Sequence, residues 1–554
     1  MHVGVGERRG IGLSKKETFI RGTLILAAAA LIARVLGLVQ RVPLEHILGD
    51  IGNASFTISN TVYLMLLTVA TAGIPSTLSK MVSERYALGR AGEAQQIYRA
   101  ALIFAAVAGV VMSALLWFAA PYYATYVSKV PESVSAIRAL APALLLFPAI
   151  AMMRGYFQGR GNMTAGGISQ IVEQFARVGT AIIVAFVMLQ WNYDDQTIAA
   201  GASFGGVFGS IGAFAVMLYF TLKLRKNDRA AQLNYERAEQ LPMRGIYSDI
   251  FKLSIPIVLS SLAVPAINFI DSSLVVPLLS GRIGLEEATG VLAILGAKAQ
   301  SIAGIPPILA IALSQSLVPV ISAAFARKDE VHLKNQVTLA LRISILTGMP
   351  IVIALCAAAY SVNGLLFTSP DGTPIITLLT FGTIFQITMM TTNSILLGVG
   401  KPRITMISVA AGIVVKLIAS LILAPIFGIY GIIIATALCF LVITYLNLRV
   451  LRKIVDFSIM GDRWKGFIIT VLLAAGVGFA ANWAGNSIFD LFLPARVSFL
   501  VTCLFVGALV VVVYLVLMVV LRVLRKDELG GYPRILQKIL RPLMRLQRGA
   551  GQRG

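Results

Sequence analysis

Charged residues are scarce in this chain, 13% of 554, where an ordinary soluble domain carries about 25%. Cysteine is almost absent. Cys356, Cys439 and Cys503 all fall inside apolar runs, so they read as small buried hydrophobes rather than disulfides or metal ligands. The three histidines, His2, His46 and His332, are scattered and match no metal-ligand spacing. No Gly-x-x-x-x-Gly-Lys-Ser/Thr loop occurs, so the chain does not hydrolyse ATP itself. The glycines of GASFGGVFGSIG, Gly201 to Gly212, lie in an apolar segment, where small residues let helices approach closely. Acidic residues number 25 against 47 Lys plus Arg, a net charge of +22. In a soluble protein that excess points to nucleic acid. Here it sits in loops and tails, where it sets orientation and meets anionic lipid, and no nucleic-acid partner is expected. No catalytic constellation is present, so an enzyme is not expected.

What the chain has in abundance is apolar length: 57% of its residues are hydrophobic, and mean hydropathy is +0.84. With a window of about 19 residues, apolar segments centre near 30, 66, 108, 146, 180, 212, 262, 308, 348, 384, 414, 440, 474 and 510. The first run continues into polar sequence without a small-residue cleavage site, so it is expected to stay as a span. The expected fold is an all-α polytopic membrane protein of about fourteen transmembrane helices, two six-helix lobes related by a repeat plus two C-terminal helices. The boundaries are a cytoplasmic segment 1–18, an N-lobe 19–225, a cytoplasmic linker 226–246, a C-lobe 247–453 and accessory spans 463–525. Residues 532–548 alternate apolar and basic positions at helical spacing. They read as an amphipathic helix on anionic inner-leaflet lipid, kinked at Pro542, or else as a disordered basic tail.

Basic residues collect on alternate loops. Arg8, Arg9, Lys15 and Lys16 precede the first span; Lys80, Arg85 and Arg90, then Arg154 and Arg160, follow on the same side. The charged linker and the loops around Lys328, Lys401 and Arg452 continue the pattern, while the opposite face has only Arg41, Lys129, Arg138, Arg282 and Arg496. By the positive-inside rule both termini are cytoplasmic. The repeat rests on two echoes in the same order. Ala72-Gly73-Ile74-Pro75 returns as Ala303-Gly304-Ile305-Pro306, and Met152-Met153 with Gly159-Arg160-Gly161 returns as Met389-Met390 with Gly398-Val399-Gly400-Lys401.

Ionisable residues inside spans carry the functional information. Arg34 stands near the middle of the first apolar helix with no acidic neighbour on that helix. A cation at mid-membrane costs about 2.5–3.5 kcal/mol on insertion scales, so it faces a partner or a wet cavity. Glu173 and Arg177, four residues apart on one helix face, can pair directly, as a structural clasp or as part of a site. Asp271 is a counter-ion for Arg34 or Lys298, a proton or sodium site, or a helix-end residue. Lys298 enters the eighth span, and Lys416 in the eleventh can snorkel. A cavity lined by Arg34, Lys298, Arg177 and Arg41 would suit a diphosphate, because guanidinium forks match phosphate oxygens. Helix breakers at Gly73, Pro75, Pro256, Pro265 and Pro306 mark hinges or static kinks.

Ala33-Arg34-Val35-Leu36-Gly37 followed by Ile47-Leu48-Gly49 resembles the first-helix signature of the multidrug/oligosaccharidyl-lipid/polysaccharide flippase superfamily. Within it, the chain is similar to the bacterial branch of MurJ-type lipid II flippases and stage V sporulation protein B. Ala72–Pro75, Arg154-Gly155-Tyr156-Phe157-Gln158-Gly159, Ser169–Gln174 with Arg177-Val178, and Ser254-Ile255-Pro256-Ile257 carry the similarity along nearly the whole chain. The resemblance implies two lobes around a cationic cavity. The implied activity is outward flipping of an undecaprenyl-diphosphate-linked sugar precursor, by alternating access driven by H+, Na+ or membrane potential. No cofactor or metal is implied, and a monomer in the bacterial cell membrane is expected. Arg34 takes the family's head-group role. The Gram-negative MurJ type has Arg-Asp where this chain has Gln40-Arg41, arginines in place of Leu67-Thr68-Val69, and an arginine near Ser301, where Lys298 is the nearby cation. A drug/cation antiporter would need about twelve spans and an acidic cavity. A membrane glycosyltransferase would need catalytic carboxylates in a large outer loop, where only Asp194-Asp195 stands.

Overall fold

Long apolar runs that cannot hydrogen-bond to lipid must satisfy their backbone internally, and helices are the result. The computed structural model describes residues 28–29, 31–33, 35–37, 39–71, 73–230 and 242–524. Arg34, the 1–18 segment, most of the linker and the 532–548 segment lie outside them. Among the described residues, twelve helices are long and apolar enough to cross a membrane. The chain is a multi-pass helical membrane protein, and it divides into two compact units, Met1–Pro277 and Leu278–Gly554.

In the first unit, α1 is helical over 39–47 and ends at Leu48-Gly49. Then come α2 (Asp50–Thr71), α3 (Ile74–Ala87), α4 (Ala91–Tyr122), α5 (Ser133–Gly159), α6 (Met163–Gln190), α7 (Asp195–Ala230), α8 (Met243–Ser261) and α9 (Ala263–Ile283), whose last turns after Pro277 fall to the second unit. Helix α5 is the hub, packing against α2, α3, α4 and α7. The Gly201–Gly212 glycines serve close packing: a Cβ on Gly205 would lie 2.8 Å from the Arg177 carbonyl oxygen, and one on Gly209 2.9 Å from Arg177 Cβ. Helix α7 thus lies directly on the turn of α6 that carries Glu173 and Arg177.

Asp194 and Asp195 cap helices. Asp194 accepts from the Thr197 N–H at 3.1 Å and hydroxyl at 2.5 Å, closing the start of α7. Those bonds hold its carboxyl below the ordinary value of 3.8. Asp195 accepts from the Gly49 N–H at 2.8 Å and the Gly52 N–H at 2.5 Å, satisfying the exposed first turn of α2. Both carboxylates therefore serve the fold, which leaves the glycosyltransferase alternative without its acid pair.

The segment read as one span near 262 is two helices, α8 and α9, interrupted at Leu262 within a turn of Pro265. Pro256 lies inside α8 without breaking it. The second unit continues with α10 (Leu285–Ala293), a π turn at Ile294–Ala299, α11 (Gln300–Ala303) and α12 (Pro307–Ala326). The single span expected near 308 is thus broken several times, including at Gly304–Pro306. Next are α13 (Glu330–Ala357), α14 (Ala359–Leu366), α15 (Thr373–Gly398), α16 (Pro402–Phe427), α17 (Ile429–Ile454), α18 (Trp464–Phe489) and α19 (Ala495–Val520). Helices α16 and α17 form one hairpin; α18 and α19 form another that docks on α13 and α14. Ser361 reaches Asn482 and Asn486 of α18 at 2.8 and 3.0 Å across that seam.

Candidate functional site

The two Ala-Gly-Ile-Pro echoes both stand at helix interruptions. In the first unit, Gly73 adopts φ +76°, a conformation L side chains rarely hold, and Pro75 opens α3 where its missing N–H is not needed. The motifs around it meet physically. A Cβ on Gly155 would come within 2.6 Å of the Pro75 carbonyl oxygen, one on Gly159 within 2.6 Å of that of Ser79, and one on Gly73 within 2.9 Å of that of Ser254. Ser254 also donates to Thr77 at 3.0 Å. Helix α3 is therefore clasped between α5 and the Pro256 stretch of α8. At its far end Tyr86 and Tyr156 share a 3.0 Å hydrogen bond, and Arg160 lies 4.9 Å over the Tyr86 ring.

A charge relay crosses the α5–α6 hairpin. Glu173 is buried, and its partner is Arg154, 2.8 Å away, not Arg177. Helical spacing allows Glu173 to pair directly with Arg177; the structure instead gives its carboxylate to Arg154. Arg154 also departs from its sequence-based place in a loop: it lies on α5, where its long side chain reaches along the hairpin to α6. Ser169 accepts from the same guanidinium at 2.9 Å and donates onward to the Ala213 carbonyl at 3.2 Å. Gln174 donates to Glu173 Oε1 at 3.3 Å and accepts from Arg177 at 2.8 Å. The Arg177 Nε is buried with no hydrogen-bond partner among the described residues.

Arg177 borders a cavity of about 20 Å³ lined also by Gln40, Phe56, Asn60, Tyr63, Leu140, Ala202, Ser203 and Gly206. That is room for one water. The buried Tyr63 hydroxyl has no partner among the described residues. Arg41 stands behind the cavity wall, 5.0 Å over the Phe56 ring and 3.4 Å from the Thr57 hydroxyl. The structure thus brings Arg177 and Arg41 to one recess, whose wall is otherwise uncharged, polar at Gln40, Asn60, Tyr63 and Ser203 and apolar at Phe56, Leu140 and Ala202. Asp271 is buried on α9, immediately before Ser272, which bonds Thr61 at 2.8 Å, and Ser273, which bonds Tyr123 at 2.7 Å.

In the second unit Lys298 sits in the π turn, buried, and donates to the Ser369 carbonyl and hydroxyl, both at 3.1 Å. Pro306 lies in the interruption between α11 and α12. Lys416 does not snorkel. It is fully buried and donates to the Ile432 carbonyl at 2.7 Å. Among the described residues no group of His, Cys, Asp and Glu could hold a metal ion.

The described residues form a multi-pass helical bundle with a partly buried guanidinium, that of Arg177, at a small recess between helices. Residues 19–325 match the family model described as polysaccharide biosynthesis protein, and the chain belongs to that family, within the multidrug/oligosaccharidyl-lipid/polysaccharide flippase superfamily. It is 27% identical over 524 residues to an uncharacterised membrane protein, YabM, of Bacillus subtilis, covering 94% of this chain and 96% of that one. It is 25% identical over 477 residues to the lipid II flippase MurJ of the same organism, covering 84% and 88%. Its fold matches the inward-facing conformation of a multidrug resistance MATE family transporter with a TM-score of 0.63 at 15% identity, covering 76% of this chain and 94% of that one.

Proposed function

We propose that the chain flips an undecaprenyl-diphosphate-linked cell-wall precursor, lipid II first among them, from the inner to the outer leaflet by alternating access. The observation that carries the reading is Arg177: a guanidinium on a membrane-spanning helix beside a recess with room for a water, while the neighbouring acid, Glu173, is occupied by Arg154. A diphosphate needs positive charge without a competing carboxylate. Arg34 and Arg41 on the first span complete the head-group contact in this reading, and Lys298 is a separate candidate cation in the second unit. The recess is too small for a diphosphate, so cargo entry requires the walls from α1, α2 and α7 to part. Gly73 with Pro75, Leu262 with Pro265, and Gly304 with Pro306 are where helices would bend, and Pro256 is carried in the α8 face that Gly73 meets.

The reading includes fourteen spans: the twelve above, one through Arg34 and one through the broken α10–α12 segment. They form an N-lobe at 19–225, a C-lobe at 247–453 and accessory spans at 463–525, joined by a cytoplasmic linker at 226–246. Both termini are cytoplasmic in a bacterial cell membrane, the 532–548 helix rests on anionic inner-leaflet lipid, and the protein acts as a monomer. Coupling is to H+, Na+ or membrane potential, with Asp271 as a candidate ion group. Another lipid-linked oligosaccharide, or a sporulation-specific peptidoglycan supply, is the alternative cargo. A drug/cation antiporter is disfavoured because Glu173 already has its cation.

The test is complementation. A bacterium depleted of its lipid II flippase and expressing this chain should grow and expose lipid II on its outer leaflet, and Arg34→Ala should abolish both. Absence of rescue with the protein present in the membrane would overturn lipid II as the cargo. Rescue by the Arg34→Ala variant would overturn the cationic head-group site.

A further inference from the structure

Glu173 precedes Arg177 by four residues on α6, the spacing and order in which a carboxylate and a guanidinium pair most readily on a helix. In a low-dielectric interior that attraction is strong, and left to itself Glu173 would cancel the charge of Arg177. The structure holds the two apart from both sides. Arg154, from the neighbouring helix, takes Glu173 Oε2 at 2.8 Å and is itself fixed by Ser169. The Gln174 side chain then stands between them, its N–H on Glu173 and its carbonyl oxygen on Arg177. A neutral amide therefore carries the contact that an ion pair would otherwise make.

We infer that Arg154 is a positioning residue that keeps Arg177 available for an anionic ligand by sequestering Glu173, without touching that ligand. Ser169, Glu173 and Gln174 are the rest of the device. The inference rests on the reading of Arg177 as a head-group contact, and it adds what sets that residue's charge. It makes an unusual prediction: removing a cation, Arg154, should weaken anion binding at a site it does not line, and removing the acid as well should restore it.

Undecaprenyl diphosphate is the probe, titrated into the full-length protein in nanodiscs of neutral lipid, with monodispersity and melting temperature as controls for folding. Arg177→Gln should weaken binding at least about tenfold. Arg154→Met should weaken it by about tenfold as Glu173 turns to Arg177, and the Arg154→Met/Glu173→Gln double variant should return to within about threefold of wild type. Arg154→Lys, which keeps the charge, should stay near wild type. If Arg154→Met alone does not fold, the double variant, with no unpaired acid, still decides: a double variant as weak as Arg177→Gln overturns the inference. Wild-type affinity in Arg154→Met together with loss in Arg177→Gln overturns this inference alone. Wild-type affinity in Arg177→Gln overturns the head-group reading beneath it.

Discussion

In the first unit, the ions of α5 and α6 answer to side chains: buried Glu173 to Arg154 and Gln174, half-buried Arg177 to Gln174. In the second unit, two buried lysines reach backbone oxygens, Lys298 that of Ser369 and Lys416 that of Ile432. A carbonyl bound to a lysine belongs to the fold itself; it neither titrates nor changes rotamer. A carboxylate can be exchanged between two guanidiniums, here Arg177 four residues along the same helix and Arg154 on the neighbouring one, so its partner is a matter of balance. Lys416 is a charge that fastens helices together, whereas Arg177 is the charge proposed above to meet a ligand.

The contrast is broken or sharpened most strongly by exchanging its two ends. Arg177→Gln should lower transport by at least about tenfold, since a charge-assisted hydrogen bond to the head group contributes roughly 1.5–3 kcal/mol. Lys416→Met should leave transport in place, and equal loss in the two variants would erase the distinction. Packing comes next. Gly209→Ala puts a methyl 2.9 Å from Arg177 Cβ and 3.0 Å from the Glu173 carbonyl oxygen, and should destabilise by about 1–3 kcal/mol in thermal unfolding. Gly212→Ala, whose nearest contacts are 3.4 Å or more, serves as the mild control on the same helix.

Asp195→Ala removes the acceptor for two N–H groups at the start of α2 and should cost about 1 kcal/mol, read as a lower melting temperature. The stability of Lys416→Met should change little or rise, because a buried cation gives way to an apolar chain of similar volume. The smallest effect is at Asp194. Its carboxyl titrates below the ordinary value of 3.8, so its stabilising contribution is present above that pH and fades as pH falls through the folded-state value. Thr197→Ala should flatten the melting temperature between pH 5 and pH 3 compared with wild type.

Much of the architecture could be read from apolar run length alone. The helix interruptions at Gly73 and Gly304 were visible as a repeated motif, because glycine before an Ile-Pro step has a direct backbone meaning. The spacing of Glu173 and Arg177 marks a charged turn but does not show that Glu173 pairs with Arg154 instead. Helical periodicity reports neighbours on one helix, whereas Arg154 arrives from across the hairpin. Its position five residues before the end of α5, on a hairpin shared with Glu173, was the available signal. The partner of Lys416 was out of reach for another reason: a backbone carbonyl leaves no trace in residue identity. Asp195 was legible as an acid but not as a cap for α2, since its two donors lie more than a hundred residues earlier.

The central claim is that this chain carries a diphosphate-linked lipid across the bilayer, with Arg177 meeting the head group. Its most direct test is a proteoliposome assay with fluorescent lipid II placed in the leaflet facing one side and read by its exposure on the other. The account predicts protein-dependent transfer for wild type and Lys416→Met, and transfer at the protein-free rate for Arg177→Gln. Transfer by Arg177→Gln at the wild-type rate, or none by wild type, would contradict it.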